Sequence, residues 1–385
     1  MNNVYVCGEN VITSLGFTVE ENTENIKKDI SGVRLIQNRN LFTDDFYASL
    51  VDTQRLENEF SAFSAPRQYT RFEKLLIVSA MYALGQNPNI DASSDKTLFV
   101  ISSTKGNIDL LEERQKTLFE PERIYLWKAA EIIAGFFGNK NTPLVISNAC
   151  ISGVLAIVNA ASLLKTGAYE NIIVIGGDIA TEFVISGFLS FKSLSFGICK
   201  PFDARHDGLN LGEGAGTLIL TNKQENLRDD ITVKVLGGAC NNDANHISGP
   251  SRTGEGLMFA VTRALKNAGI TAGQIDFISA HGTATPYNDE MESKAFSSAG
   301  LSEAPLNSLK AYFGHTLGGA GVIESAISIE GMKQGLMFTT LGYKEYGLPE
   351  KINIVDRLTE KEQNHILKTA SGFGGCNAAV VFAKE

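Results

Sequence analysis

Apolar residues along this chain gather in short runs separated by glycine. Near-continuous β-branched runs such as LFVISS and IIVIGG lack an alternating polar face. They predict strands buried on both sides. Strands are expected over residues 4–7, 97–102, 144–147, 172–176, 216–220, 232–236, 277–280, 307–310 and 378–382. Helical spacing predicts helices over 73–83, 151–165, 256–267, 290–296 and 320–333. Alternation of the two gives an α/β layered fold. No short repeat is visible, but residues 144–165 and 306–333 both read strand, small polar turn, apolar helix. This echo suggests two related halves, 1–225 and 226–385, parted within the polar stretch NKQENLRDD at 222–230.

Composition narrows the class. The chain has 385 residues, 43% hydrophobic and 20% charged, an ordinary globular balance. A chain this long buries roughly 75% of its unfolded surface and needs no disulfide or metal to fold. The net charge is −9 and no Lys/Arg-rich stretch occurs, so nucleic acid is not an expected partner. Five scattered cysteines without a C-x-x-C pair read as a reduced, intracellular chain. The start, MNNVYVCGEN, lacks the blocks of a signal peptide. No apolar run is read as nearing the roughly 18 residues that span a bilayer. A soluble, cytoplasmic protein without a membrane partner is expected.

Four segments carry chemistry. In PLVISNACISGVLAIVNAASLLK, residues 143–165, a strand leads to Cys150 and an apolar helix follows. Free N–H groups and the positive end of a helix lower a thiol pKa there and favour a nucleophile. A small core hydrophobe is the competing reading. In ISAHGTATPYNDEMES, residues 278–293, a strand delivers His281, and strand C-termini are the usual place for α/β active sites. Thr283 and Thr285 offer hydroxyls, while Asp289 and Glu292 open a helix, where carboxylates also serve as caps. In SLKAYFGHTLGGAGVIES, residues 308–325, Lys310 closes a strand, His315 lies in a glycine-rich loop and Glu324 can reach back to Lys310. A buried lysine is expensive unless paired or used. In SGFGGCNAAVVF, residues 371–382, glycines flank Phe373, and a backbone N–H there could face an oxyanion. No nucleotide loop, H-E-x-x-H or paired-cysteine spacing is present. No metal and no nucleotide are expected.

Taken together, one cysteine, two loop histidines and a lysine resemble the β-ketoacyl-acyl-carrier-protein synthases, condensing enzymes of the thiolase superfamily. The resemblance rests on SNACISG around Cys150, FLSFKSLS at 188–195, CKPFDARHDGLNLGEGAG at 199–216, AHGTATPYNDEME at 280–292, KAYFGHTLGGAG at 310–321 and SGFGG at 371–375. It fits the elongating, Cys-His-His branch. It implies a five-layered αβαβα thiolase fold of two similar halves. It implies decarboxylative condensation of an acyl group on Cys150 with a malonyl group on acyl carrier protein. His281 and His315 would then stabilise the enolate, and Lys310 with Glu324 would hold the network. The N–H groups of Cys150 and Phe373 would form the oxyanion hole, with Phe373 also a gate. Thr283 and Thr285 would line the phosphopantetheine channel, and Asp289 and Glu292 would support the histidine loop. Arg67, Arg71 and Lys74 form a candidate carrier-protein patch. No cofactor is implied beyond the carrier's phosphopantetheine. A homodimer, or a heterodimer with a homologous subunit, is implied as well. Ile151, Cys376 and His206 depart from the residues common in relatives, which points to a specialised fatty-acid, polyene or polyketide role. The rival readings are a non-catalytic chain-length subunit and a thiolase-like acyl transferase using Cys376.

Overall fold

A computed structural model of the chain describes residues 2–112, 119–227 and 231–385. The end of the expected dividing stretch, 228–230, lies outside the described residues. The first group of strands is β1 (Tyr5–Ile12), β2 (Thr97–Ser102), β3 (Leu144–Ile146), β4 (Asn171–Asp178) and β5 (Gly214–Thr221). Their order is β3-β2-β4-β5-β1, with β5 antiparallel to both its neighbours and the other pairs parallel. The second group is β6 (Val233–Asn242), β7 (Phe277–Ser279), β8 (Pro305–Asn307), β9 (His365–Gly372) and β10 (Cys376–Lys384). Its order, β8-β7-β9-β10-β6, repeats the same senses strand for strand. The two groups join edge to edge through Tyr5↔Lys234 and Val6↔Val233, with the Val235 N–H donating to Val4 O at 2.9 Å.

Helices fill five layers with the strands. They are α1 (Arg71–Gly85), α2 (Leu126–Phe136), α3 (Ser152–Thr166), α4 (Glu182–Ser190), α5 (Glu255–Ala268), α6 (Pro286–Ser298) and α7 (Ala320–Gln334). The outer face of the first strand group is covered by α1 and α2, and that of the second by α5 and α6. Between the groups lie α3 and α7, each packed on strands of both. This is the five-layered αβαβα arrangement of two similar halves that the resemblance implies.

Most of α3 is buried between the two strand groups, while Leu155, Val158 and Leu163 are only half-buried along one flank. The stretch Ala149–Thr166 is long and apolar enough to cross a membrane by length and composition. That corrects the reading that no run nears bilayer length. Val154, Ile157, Ala160, Ala161 and Leu164 are buried in the core between the two strand groups instead.

Glycine lets the middle helices touch backbone to backbone. A Cβ on Gly321 would lie 2.3 Å from the Val154 nitrogen, and one on Gly153 would lie 2.8 Å from the Val322 nitrogen. Both contacts sit in the first turn of each helix, just beyond Cys150 on one side and the His315 loop on the other. The turns that follow β3 and β8 are therefore brought face to face.

Three expectations need correction. Lys310 does not close a strand: β8 ends at Asn307, and Lys310 starts the short helical turn Lys310–Phe313. Strand β9 was not foreseen, because Lys368, Thr369 and Ser371 interrupt its apolar run. Helices α2 and α4 were missed as well; α4 buries only Val184 and Ile185 and so shows little apolar periodicity.

Candidate active site

The turn after β3 presents Cys150. Ala149 before it has φ 45°, a left-handed conformation costing a non-glycine residue roughly 1–3 kcal/mol. Ser152 holds the turn: its Oγ donates to Ala149 O at 2.6 Å and accepts from Asn148 N at 2.7 Å. The end of β9 closes over the sulfur. A Cβ on Gly372 would lie 2.9 Å from the Cys150 nitrogen, and the Phe373 backbone N–H is near enough to the sulfur to favour the thiolate.

His281 stands two residues beyond the end of β7, after Ala280. Its N–H donates to Glu292 Oε1 at 2.8 Å, and the Gly282 N–H donates to Glu292 Oε2 at 2.6 Å. The Thr283 N–H donates to Asp289 Oδ1 at 3.1 Å, while Phe202 N–H reaches Asp289 Oδ2 at 2.7 Å. Both carboxylates, from α6, thus pin the loop through its backbone. Thr283 and Thr285 hydroxyls bond each other at 2.8 Å. His206, half-buried, sits 3.3 Å from Asp289 Oδ2, and that contact raises its pKa.

His315 comes from the opposite side. Its N–H donates to Asn210 O at 2.7 Å, and its carbonyl accepts from Gly212 N at 3.0 Å. The loop passes so near Leu211 that a Cβ on Gly314, at φ 70°, would fall 2.4 Å from the Leu211 carbonyl oxygen. Asp178 at the end of β4 anchors the next turn by accepting from Gly318 N at 2.7 Å.

These elements bring three reactive groups together. Cys150 Sγ and ring nitrogens of His281 and His315 all lie within 4.8 Å of one another. The two rings meet edge to face with centroids 5.1 Å apart. All three residues are buried. His281 Nδ1 and both ring nitrogens of His315 have no protein partner. Burial, then Lys310, hold both imidazoles well below their usual pKa, so they rest neutral. Burial also pushes the Cys150 thiol up to about 11. The helix end was expected to lower it; loss of hydration instead outweighs the pull of Lys310, Lys105 and the Phe373 N–H, and the resting group is a thiol. The same donor set is close enough to take a soft metal ion, although the lysine ammonium groups behind it oppose a further positive charge there.

Behind the imidazoles lies a buried ionic group. Lys310 Nζ donates to Glu324 Oε1 at 2.7 Å and to His281 O at 2.5 Å. The expected Lys310–Glu324 pair is therefore present. Sequence reasoning missed Lys368, which binds the other Glu324 oxygen at 2.5 Å. Its signal was a lone lysine inside an apolar stretch that runs into SGFGG.

The remaining candidates stand outside the thiol–imidazole cluster. Phe373 is partly exposed and packs on Phe188 and Phe191 with centroids 5.8 and 5.3 Å away. Cys376 Sγ bonds Asn148 Oδ1 at 3.0 Å and is not in the Cys150 cluster. Arg67, Arg71 and Lys74 do not form the free basic patch expected of them. Arg71 pairs with Glu213 at 2.7 Å and Lys74 with Glu57 at 2.7 Å, leaving Arg67 as the exposed member.

A thiol, two neutral imidazoles and a buried lysine on this five-layered frame define a condensing enzyme of the thiolase superfamily. The family described as "Beta-ketoacyl synthase, N-terminal domain" matches residues 1–226, and its C-terminal domain matches residues 233–344. The chain belongs to the β-ketoacyl synthase family. It is 30% identical to the 3-oxoacyl-[acyl-carrier-protein] synthase 2 of Rhizobium meliloti, over 79% of this chain and 78% of that one. Among solved structures, the ishigamide ketosynthase/chain length factor superposes with a TM-score of 0.88 at 23% identity, covering 99% of each chain. A type II polyketide ketosynthase solved with its acyl-carrier protein and a bound hexaketide superposes at 0.84 with 23% identity, again over 99% of each.

Proposed function

We propose that this chain condenses an acyl group on Cys150 with a malonyl group carried by acyl carrier protein. The observation that carries this reading is the cluster of one thiol and two unpartnered neutral imidazoles in a single buried site. In the first half-reaction the Cys150 sulfur attacks the acyl thioester. The thiol proton ends on the departing carrier thiol, and the acyl group stays on the enzyme. In the second, malonyl thioester loses CO₂. N–H groups of His281 and His315 stabilise the negative charge that develops on its thioester oxygen. The resulting carbanion attacks the acyl carbonyl. The N–H groups of Cys150 and Phe373 receive the oxyanion, and collapse releases the cysteine as a thiolate, which takes a proton from solvent, with a β-ketoacyl product two carbons longer.

Phe373 gates the channel between the half-reactions, and Thr283 and Thr285 line it. The reaction uses no cofactor, because the phosphopantetheine arm is substrate. The enzyme works in the cytoplasm as a homodimer. Support for pairing is the edge strand β3, whose residues are half-buried at the end of the sheet. Likeness to ketosynthases of specialised products supports a polyene or polyketide role.

Intact mass spectrometry tests the reading. Wild type is mixed with a panel of acyl-carrier proteins and then with malonyl-carrier protein. An acyl adduct absent from Cys150→Ala, discharged into a product two carbons longer, is the expected result. No adduct with any primer would favour a chain-length subunit.

A further inference from the structure

Lys368 has no part in the reaction as proposed, yet it is wholly buried in the wall of the site. Its Nζ donates to Glu324 Oε2 at 2.5 Å, to Ala280 O at 3.1 Å and to Ser279 O at 3.2 Å. Lys310 takes the other Glu324 oxygen and the next carbonyl, that of His281. Two ammonium groups thereby share one carboxylate and bind three consecutive carbonyls of the segment that ends in His281. All three side chains are at most 1% exposed.

Such a group is an expensive way to hold a strand. Two lysines against one carboxylate leave a positive charge uncompensated within it, and burying charge is costly even when it is paired. Glu324 is already paired by Lys310. An apolar residue at 368 would simply continue the buried run of Ile366 and Leu367 in β9. The position asks for a reason beyond packing.

We infer that Lys368 is a positioning residue for the condensation: with Lys310 it fixes the end of β7, aims His281 at His315 and Cys150, and backs the pair with positive charge. The inference rests on the reaction proposed above. The charged and titratable groups around the two imidazoles come from every element packed there. Lys310 follows β8, Lys368 lies in β9, Cys150 precedes α3, and Glu324 lies in α7. Asp289 and Glu292 of α6 face the His281 backbone. Burial and the same two lysines act together to keep each imidazole unprotonated.

Lys368→Met keeps the length of the side chain and removes its charge, while Lys368→Gln keeps a donor without charge. Malonyl-carrier-protein decarboxylation is measured across pH as kcat and KM, with acyl loading of Cys150 followed by mass. Lys368→Met is expected to lower kcat about 10-fold or more, the range seen when a supporting partner is lost, with KM within about twofold. The acidic limb of its kcat profile moves to higher pH, because an imidazole relieved of one positive neighbour protonates more readily. Lys368→Gln recovers part of kcat but keeps the displaced limb. Should Lys368→Met fail to fold, Lys368→Gln carries the test through its limb. An unmoved limb, or kcat within twofold of wild type, overturns the inference. Failure of the wild type itself to decarboxylate would instead overturn the reaction.

Discussion

Adding one methyl group at Gly321 tests whether the helix crossing sets the distance between the nucleophile and the imidazoles. A Cβ there would meet the Val154 nitrogen at 2.3 Å, whereas ordinary contact begins at 3.4 Å. Backbone cannot rotate away as a side-chain tip can, so in Gly321→Ala the first turns of α3 and α7 must part by about 1 Å. Cys150 rides on the first of these helices and His315 on the loop before the second. A misplacement of about 1 Å can cost ~100-fold in rate. Overpacking costs roughly 1–3 kcal/mol, offset by about 1 kcal/mol from replacing glycine inside a helix, so the variant folds. Condensation is followed by product mass, and stability by thermal melting. The expected result is condensation reduced about 100-fold, with loading of Cys150 affected much less, since loading needs the sulfur and the neighbouring N–H groups rather than the imidazoles. Condensation within threefold of wild type, in a protein of ordinary Tm, would refute the claim that this crossing fixes the site.

His281→Ala or His315→Ala should each slow malonyl decarboxylation by about 100-fold to 1,000-fold, the usual loss for one oxyanion donor, while an acyl adduct still forms on Cys150. Retained decarboxylation in both would reassign the enolate donors. The alkaline limb of stability should also report the cysteine. Burial moves its thiol from an ordinary 9.0 up to about 11. A group whose pKa is raised on folding stabilises below its unfolded value and loses that contribution as pH climbs, here between 9 and about 11. The loss is about 2–3 kcal/mol. Wild type should therefore melt more steeply with pH across that window than Cys150→Ala, and coincident slopes would disprove it.

Much of this architecture could be read from the chain because the middle layer repeats a pattern. Strand, small turn and apolar helix occur at Cys150 and again before α7; the first copy and the second helix form where the hydrophobic runs predict them, while the second strand ends at Asn307, short of the expected 310. The reactive residues were legible because histidine and lysine are unusual beside glycine at strand ends. What stayed hidden depended on partners distant in sequence. Strand β9 carries a lysine whose charge is answered by Glu324 in α7, 44 residues away, so local reading broke the strand at the residue that ties it to the site. The basic patch failed for the same reason: Arg71 is answered by Glu213, 142 residues away. The expected low thiol pKa failed because a helix end was weighed without the burial around it.

In the reaction proposed above, the neutral state of the imidazoles bears on whether the site favours the enolate or bound malonate. Malonate reaches it as an anion whose charge must leave as CO₂. A protonated imidazole would pair with that carboxylate and stabilise the ground state, opposing its departure. A neutral imidazole offers an N–H to the thioester oxygen, where charge appears only as the bond breaks. Stabilisation confined to the transition state raises kcat, whereas stabilising the bound anion equally would not. Burial suppresses imidazolium at both positions, with Lys310 adding to it, and the unpartnered nitrogens leave those donors free. The buried charge behind them, spread over Lys310, Lys368 and Glu324, favours negative charge in front without offering it a contact ion. A site that resists protonation and holds its cations one layer back is thus arranged for the enolate rather than for malonate itself.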